Sequence, residues 1–127
     1  MAVTYSATAK TNRMTAVRDT IDAGAGAGVL QIGTTGMATV LAEFTLNDPS
    51  GTVSGSVLTL SGFPKSDTSA DATGTAAAAR IRTATGGTDI ITGLTVGLSA
   101  SDVILDSLSI TAGQTVTINS CVFTHAT

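Results

Sequence analysis

The stretch Val103-Ile104-Leu105-Asp106-Ser107-Leu108-Ser109-Ile110-Thr111-Ala112-Gly113-Gln114-Thr115-Val116-Thr117-Ile118-Asn119-Ser120-Cys121-Val122-Phe123-Thr124 decides how this chain reads. Ile104, Leu108 and Ile110 alternate with Leu105, Ser107 and Ser109, with Asp106 interrupting the apolar side. Val116, Ile118, Ser120 and Val122 alternate with Thr115, Thr117, Asn119 and Cys121. A side-chain period of two belongs to extended strands, whose successive residues point to opposite faces. Thr111-Ala112-Gly113-Gln114 supplies turn residues between the two runs, so the sequence predicts a C-terminal β-hairpin.

Working back from that hairpin, strand-like runs recur at intervals near ten residues, the spacing of a sandwich or barrel. They cover 38–46, 52–60, 75–84, 89–96, 103–110 and 115–124. Asn47-Asp48-Pro49-Ser50-Gly51 is the strongest turn signal, because proline presets φ and Asn and Asp bond their own backbone, and it predicts a hairpin between the first two runs. Residues 61–74 follow neither period and predict a long exposed loop. Ala76-Ala77-Ala78-Ala79-Arg80-Ile81-Arg82 reads as a strand rather than a helix, with Ile81 inward and both arginines on the opposite face of an edge or surface strand. There the arginines would either pair with acidic groups of a partner or form a solvated strand face that blocks edge-to-edge aggregation.

One stretch reads as helix, from about Thr11 to Ala23, where Met14, Val17 and Ile21 form an apolar stripe with Thr11 as N-cap and Gly24 just past the end. Gly24-Ala25-Gly26-Ala27-Gly28 follows a helix and precedes a strand-like run, the reverse of a dinucleotide fingerprint, so it reads as a flexible turn. Residues 1–10 precede the helix without an obvious strand partner and are expected to form an extended contact arm. Ala2, Val3, Thr4, Tyr5 and Lys10, together with Arg80 and Arg82, are the candidate partner-contact residues.

Composition narrows the function. The 127 residues suit one domain, 1–127, since two cores would leave each half short of buried surface. Charged residues are only 12% and the chain holds 24 Thr, 12 Ser and 19 Ala, the small and β-branched material of strands and turns. A net charge of −3, with six scattered bases, argues against a nucleic-acid partner. With four aromatics and no Trp, stacking platforms for sugars are nearly excluded. The N-terminus shows no charged region followed by an apolar core, and no window approaches 18 apolar residues, so neither a secretion signal nor a membrane span is expected. A single cysteine suits synthesis in a reducing cytoplasm.

Candidate chemistry is sparse. Cys121 and His125 on one strand would lie roughly 13 Å apart, too far for a nucleophile and its base. Asp102 and Asp106 would be separated by a similar distance, beyond the about 5–9.5 Å of glycosidase pairs, and read as solvated turn carboxylates. Asp67 and Asp71 lack the spacing of a calcium loop, and one Cys with one His excludes soft-ligand metal sites. No enzymatic activity, cofactor or metal is expected.

Gly62-Phe63-Pro64, Ala76 through Arg82, Thr92-Gly93-Leu94-Thr95-Val96-Gly97 and Ser109 through Ile118, with Ile21-Asp22-Ala23-Gly24, resemble small virion proteins of tailed bacteriophages, the capsid cement or decoration proteins. The resemblance covers most of the chain and carries no catalytic motif. It implies a jelly-roll domain that clamps neighbouring major capsid subunits from outside, hence a place on the capsid exterior. The expectation is an all-β, single-domain antiparallel sandwich of jelly-roll type with one short N-terminal helix, acting as a homo-oligomer on the major capsid protein lattice. The alternative is a tail- or fibre-associated receptor or glycan-binding module. A β-helix and a small lytic hydrolase are lesser readings.

Overall fold

The computed structural model describes residues 4–23, 27–55, 57–84 and 86–124. The chain is mostly β, with one helix and antiparallel sheets. In order the elements are α1 (Ala7–Asp22), β1 (Val29–Gly33), β2 (Val40–Thr45), β3 (Gly51–Ser54), β4 (Val57–Leu60), β5 (Lys65–Asp67), β6 (Gly74–Thr75), β7 (Ala78–Arg82), β8 (Asp89–Leu94), β9 (Val96–Gly97), β10 (Val103–Leu105), β11 (Ser109–Ile110) and β12 (Val116–Thr124). One sheet has the order β2-β1-β7-β8. A second runs β3-β4-β12-β10-β9, with β5 also on β12, and β11 pairs with β6. Among the described residues only β9 and β10 run parallel. Buried residues of both main sheets and of α1 form one continuous cluster, from Met14 and Ile21 through Leu30, Ile32 and Ile81 to Leu58, Leu105, Ile118 and Phe123. Among the described residues no helix is long and apolar enough to cross a membrane.

The helix carries the predicted stripe: Met14 and Ile21 are buried and Val17 packs against the core. It begins earlier than the sequence predicts. Ser6, not Thr11, is the N-cap, its Oγ accepting the Ala9 N–H at 3.1 Å. Capping needs an extended residue just before the first turn, and Ser6 has that geometry, whereas Thr11 bonds back to Ala7 O from inside the helix. The expected extended arm is therefore helical over Ala7–Lys10. Gly24, and with it most of the glycine turn, lies outside the described residues.

The C-terminal pairing forms, but not as a simple hairpin. β10 pairs with β12 antiparallel, and Thr111–Gln114 is a turn in which Gln114 N–H donates to Thr111 O at 2.9 Å and Gly113 adopts φ +85°. After Leu105 the chain leaves the ladder, and Ser109–Ile110 pairs with β6 instead. The predicted phase holds only in part: Leu108, Ile110, Val116 and Ile118 pack inward as predicted, but the phase is reversed on β10 and after Ile118. Val103 and Leu105 are buried, not Ile104. On β12 the buried residues are Val116 and Ile118, then Cys121 and Phe123, while Val122 is 37% exposed. Ile104 faces Ser120 but Leu105 faces Ile118, so Asn119 is the extra residue of a β-bulge. One inserted residue moves every later side chain to the other face.

Two further expectations change. Asn47–Gly51 turns the chain without making a hairpin, because β2 pairs with β1 and β3 with β4, in different sheets. Turn residues fix a reversal but not the partner. The run 52–60 is two strands joined at Gly55, whose φ of +60° marks a tight reversal. The segment 61–74 is not wholly loop: it contains β5, paired with β12, and the start of β6. Ile81, fully buried, does point inward as predicted. Ile81→Asp should cost roughly 3 kcal/mol or more, as an unpaired buried charge does. A thermal melt matching that of the unmutated protein would refute the assigned phase of β7.

Candidate functional site

β1 reads Val29-Leu30-Gln31-Ile32-Gly33 and is buried along its whole length. Leu30 and Ile32 turn toward the core, opposite Phe44 and Ala42 on β2 and Ile81 and Ala79 on β7. Gln31 therefore points to the other face, where the register sets Glu43 on one side and Arg80 on the other. Gln31 is only 3% exposed, so its amide must find partners within the protein. Its Nε2 donates to Glu43 Oε2 at 2.7 Å and its Oε1 accepts from Arg80 Nε at 2.8 Å. The opposite amide orientation would set carbonyl against carboxylate and NH2 against guanidinium.

The row continues across the sheet. Arg82 stands two residues along β7, opposite Asp89 on β8, with its Nε 2.7 Å from Asp89 Oδ1 and its Nη2 donating to Gly87 O at 2.7 Å. Arg80 Nε lies 3.9 Å from the same carboxylate oxygen. Glu43, Gln31, Arg80, Asp89 and Arg82 thus form one fixed pattern of alternating charge across four strands. The two arginines do share a face, as the alternation predicts. Their strand, however, lies inside the sheet and not at its edge, because β8 pairs beyond it.

Beside the row, a cleft of about 340 Å³ separates β2 from β5, with Glu43, Thr45, Lys65 and Asp67 among its walls. Asp67 closes one end: Oδ2 accepts the Glu43 N–H at 3.1 Å and Oδ1 the Ser69 N–H at 3.0 Å. Asp71 N–H donates to Leu41 O at 2.7 Å. Both aspartates of the supposed loop thus serve the free edge of β2. Lys65 Nζ donates to Asn47 Oδ1 at 2.7 Å and sits 5.8 Å from the centre of the Phe63 ring. Among the described residues no three His, Cys, Asp or Glu side chains converge in a way that could hold a metal ion.

The remaining candidates are dispersed. Ala2, Val3 and His125 lie outside the described residues. Thr4 and Tyr5 are exposed, the Arg13 guanidinium lying 4.6 Å from the centre of the Tyr5 ring, and Lys10 is half-buried on α1. Asp102 is no free turn carboxylate: its Oδ2 accepts both the N–H and the hydroxyl of Thr95 at 3.1 Å, and its own N–H donates to Thr95 Oγ1 at 3.0 Å. Cys121 is buried, and that burial, with the Asp102 carboxylate adding to it, pushes its thiol well above its ordinary range. A thiol held neutral is a poor nucleophile. Sequence reasoning found Arg80 and Arg82 but missed Gln31 and Glu43. The one available signal was a lone amide inside the apolar run Val29–Ile32.

No protein-family model, curated protein or solved structure matches this chain.

Two outcomes follow from the geometry. Because the folded state keeps Cys121 protonated while the unfolded chain ionises it, the thiol's contribution to stability is intact below pH 9.0 and is lost as pH rises beyond it. Cys121→Ala should flatten the alkaline fall in denaturant midpoint, and an unchanged slope would refute the burial of the thiol. Asp67→Ala should cost about 1 kcal/mol by leaving the Glu43 and Ser69 N–H groups unpaired. It should also raise aggregation by opening the edge of β2, which static light scattering would register.

Proposed function

We propose that this chain is a structural virion protein of a tailed bacteriophage, one that binds the outer surface of the assembled capsid and stabilises it by clamping neighbouring major capsid subunits. The observation that carries the reading is the Glu43–Gln31–Arg80 part of the polar row on the four-stranded sheet. A fixed pattern of donors and acceptors on a rigid sheet face is suited to a complementary protein surface, since little side-chain freedom is lost on contact. The resemblance of Ala76–Arg82, Thr92–Gly97 and Ser109–Ile118 to cement and decoration proteins supports the same reading and names the partner. In this reading the two main sheets are the layers of a jelly-roll sandwich, the chain has no enzymatic role, and the protein is made in the host cytoplasm and ends on the capsid exterior.

Modest contacts suffice for such a role. A unit that touches several lattice subunits gains through effective concentration, and a protein that binds only the assembled lattice stabilises that state by mass action. A homo-oligomer is the binding unit in this reading, since several linked copies engage several lattice subunits at once. Thr4 and Tyr5, with the residues before them, act as a contact arm ahead of α1.

The test is sedimentation with heads assembled without the protein. Purified protein should pellet with them at a fixed stoichiometry and raise the temperature at which they rupture. Deleting residues 2–5, which leaves Ser6 to cap α1, should remove most of that binding. Equal binding without the arm would dismiss only the arm, whereas attachment to host cells or free glycan with no affinity for heads would replace the cement reading by a receptor-binding one.

A further inference from the structure

Arg80 and Arg82 are alike in sequence, each flanking Ile81, yet the structure gives them different surroundings. Arg82 is engaged at both ends of its guanidinium: Nε sits 2.7 Å from Asp89 Oδ1 and Nη2 donates to Gly87 O at 2.7 Å. It ties the ends of β7 and β8 together. Arg80 is engaged only at its inner edge, where Nε donates to Gln31 Oε1. Among the described residues no acceptor meets its two terminal nitrogens, and neither is buried. The side chain as a whole is 21% exposed, the same as that of Arg82, so the two differ in their partners and not in exposure.

Resting on the capsid-binding reading, we infer that Arg80, and not Arg82, is the contact residue, and that it receives a single carboxylate of the partner protein through its two terminal nitrogens. A guanidinium anchored at Nε presents its outer N–H groups in a planar fork that matches the two oxygens of a carboxylate. Gln31, held in turn by Glu43, fixes the direction of that fork, so the ordering cost is met during folding rather than on binding. Asp89, 3.9 Å from Arg80 Nε, and Glu43, one amide away, set the charge of the ligand. With Asp89 paired to Arg82, a phosphate dianion would bring two negative charges to one guanidinium that already has the Glu43 carboxylate one amide away, whereas a single carboxylate brings only one. The partner surface is therefore an acidic protein side chain, not nucleic acid or a phospholipid headgroup.

Two measurements test the assignment. Limited phenylglyoxal treatment of the free protein, followed by peptide mass mapping, should label Arg80 before Arg82, and bound heads should protect Arg80. Labelling of Arg82 first would overturn the inference. In sedimentation with heads, Arg80→Gln should weaken binding by about tenfold or more, as loss of a charge-paired contact does. Arg80→Lys, which keeps the charge and loses the fork, should fall between Arg80→Gln and the unmutated protein. Arg82→Gln should bind within about twofold of the unmutated protein but melt at a lower temperature, since Asp89 loses its nearest cation. Arg80→Gln binding as tightly as the unmutated protein would overturn the role of Arg80 and leave capsid binding standing. If the unmutated protein ignores heads, the capsid reading falls, and the carboxylate receptor assigned to that surface falls with it.

Discussion

The buried amide of Gln31 constrains the rest of this structure more than any other group. β1 is buried along its whole length and paired on both sides, so a polar side chain in its centre has no recourse to water. It must find a donor and an acceptor at fixed heights on two neighbouring strands, and Arg80 and Glu43 are those groups. A one-residue slip of β1 against either neighbour would break both bonds, carry Gln31 into the core and turn Leu30 and Ile32 out of it. Apolar pattern and polar satisfaction thus select the same register. That agreement is valuable in a chain built largely from Thr, Ala, Ser and Gly, whose small side chains interlock weakly and specify register poorly.

A chain so rich in β-branched residues and so poor in charge also has to keep its strand edges from pairing with other molecules. Each edge is managed differently. Asp67 and Asp71 occupy outward backbone groups of β2, at Glu43 and Leu41. On the other side of the same sheet, β8 breaks register with β7 at two places and holds Gly93 at φ +71°, which bends it away from a regular template. In the second sheet α1 lies close to β3, where its Thr11 hydroxyl donates to Gly55 O and Asp22 Oδ1 accepts the Ser50 N–H at 2.9 Å. At the far side β9 is only two residues long. Side-chain carboxylates, bulges, a helix and brevity replace the lysines that often serve this purpose.

These two features bear together on the proposed role. Guarded edges favour a discrete unit over an open filament, and the stiff sheet keeps its charged row in one arrangement. In the proposed role, contact with a repeating lattice would depend on the face of the sheet, where the difference between Arg80 and Arg82 lies, and on the segment ahead of α1. The neutral, enclosed Cys121 thiol fits a particle component that gains nothing from reactivity after assembly.

The amino-acid sequence by itself determined the class of the fold, the apolar stripe of α1, the inward direction of Ile81 and the shared face of Arg80 and Arg82. All of these follow from periodicity within a few neighbouring residues, which local geometry enforces. The tertiary structure alone decided which strands pair and where the phase changes. The bulge at Asn119 reversed the faces of Cys121, Val122 and Phe123 because one unpaired residue costs little locally and is fixed only by the opposing strand. The turn at Asn47–Gly51 was legible, but its two flanking strands joined different sheets, since a turn carries no information about distant partners. The candidate site divides in the same way. Its arginines were visible in the alternation around Ile81. Their inequivalence was not, because it arises from Gln31, 49 residues away, and from Asp89 beyond the next turn, brought to them only when β1 and β8 close on either side of β7.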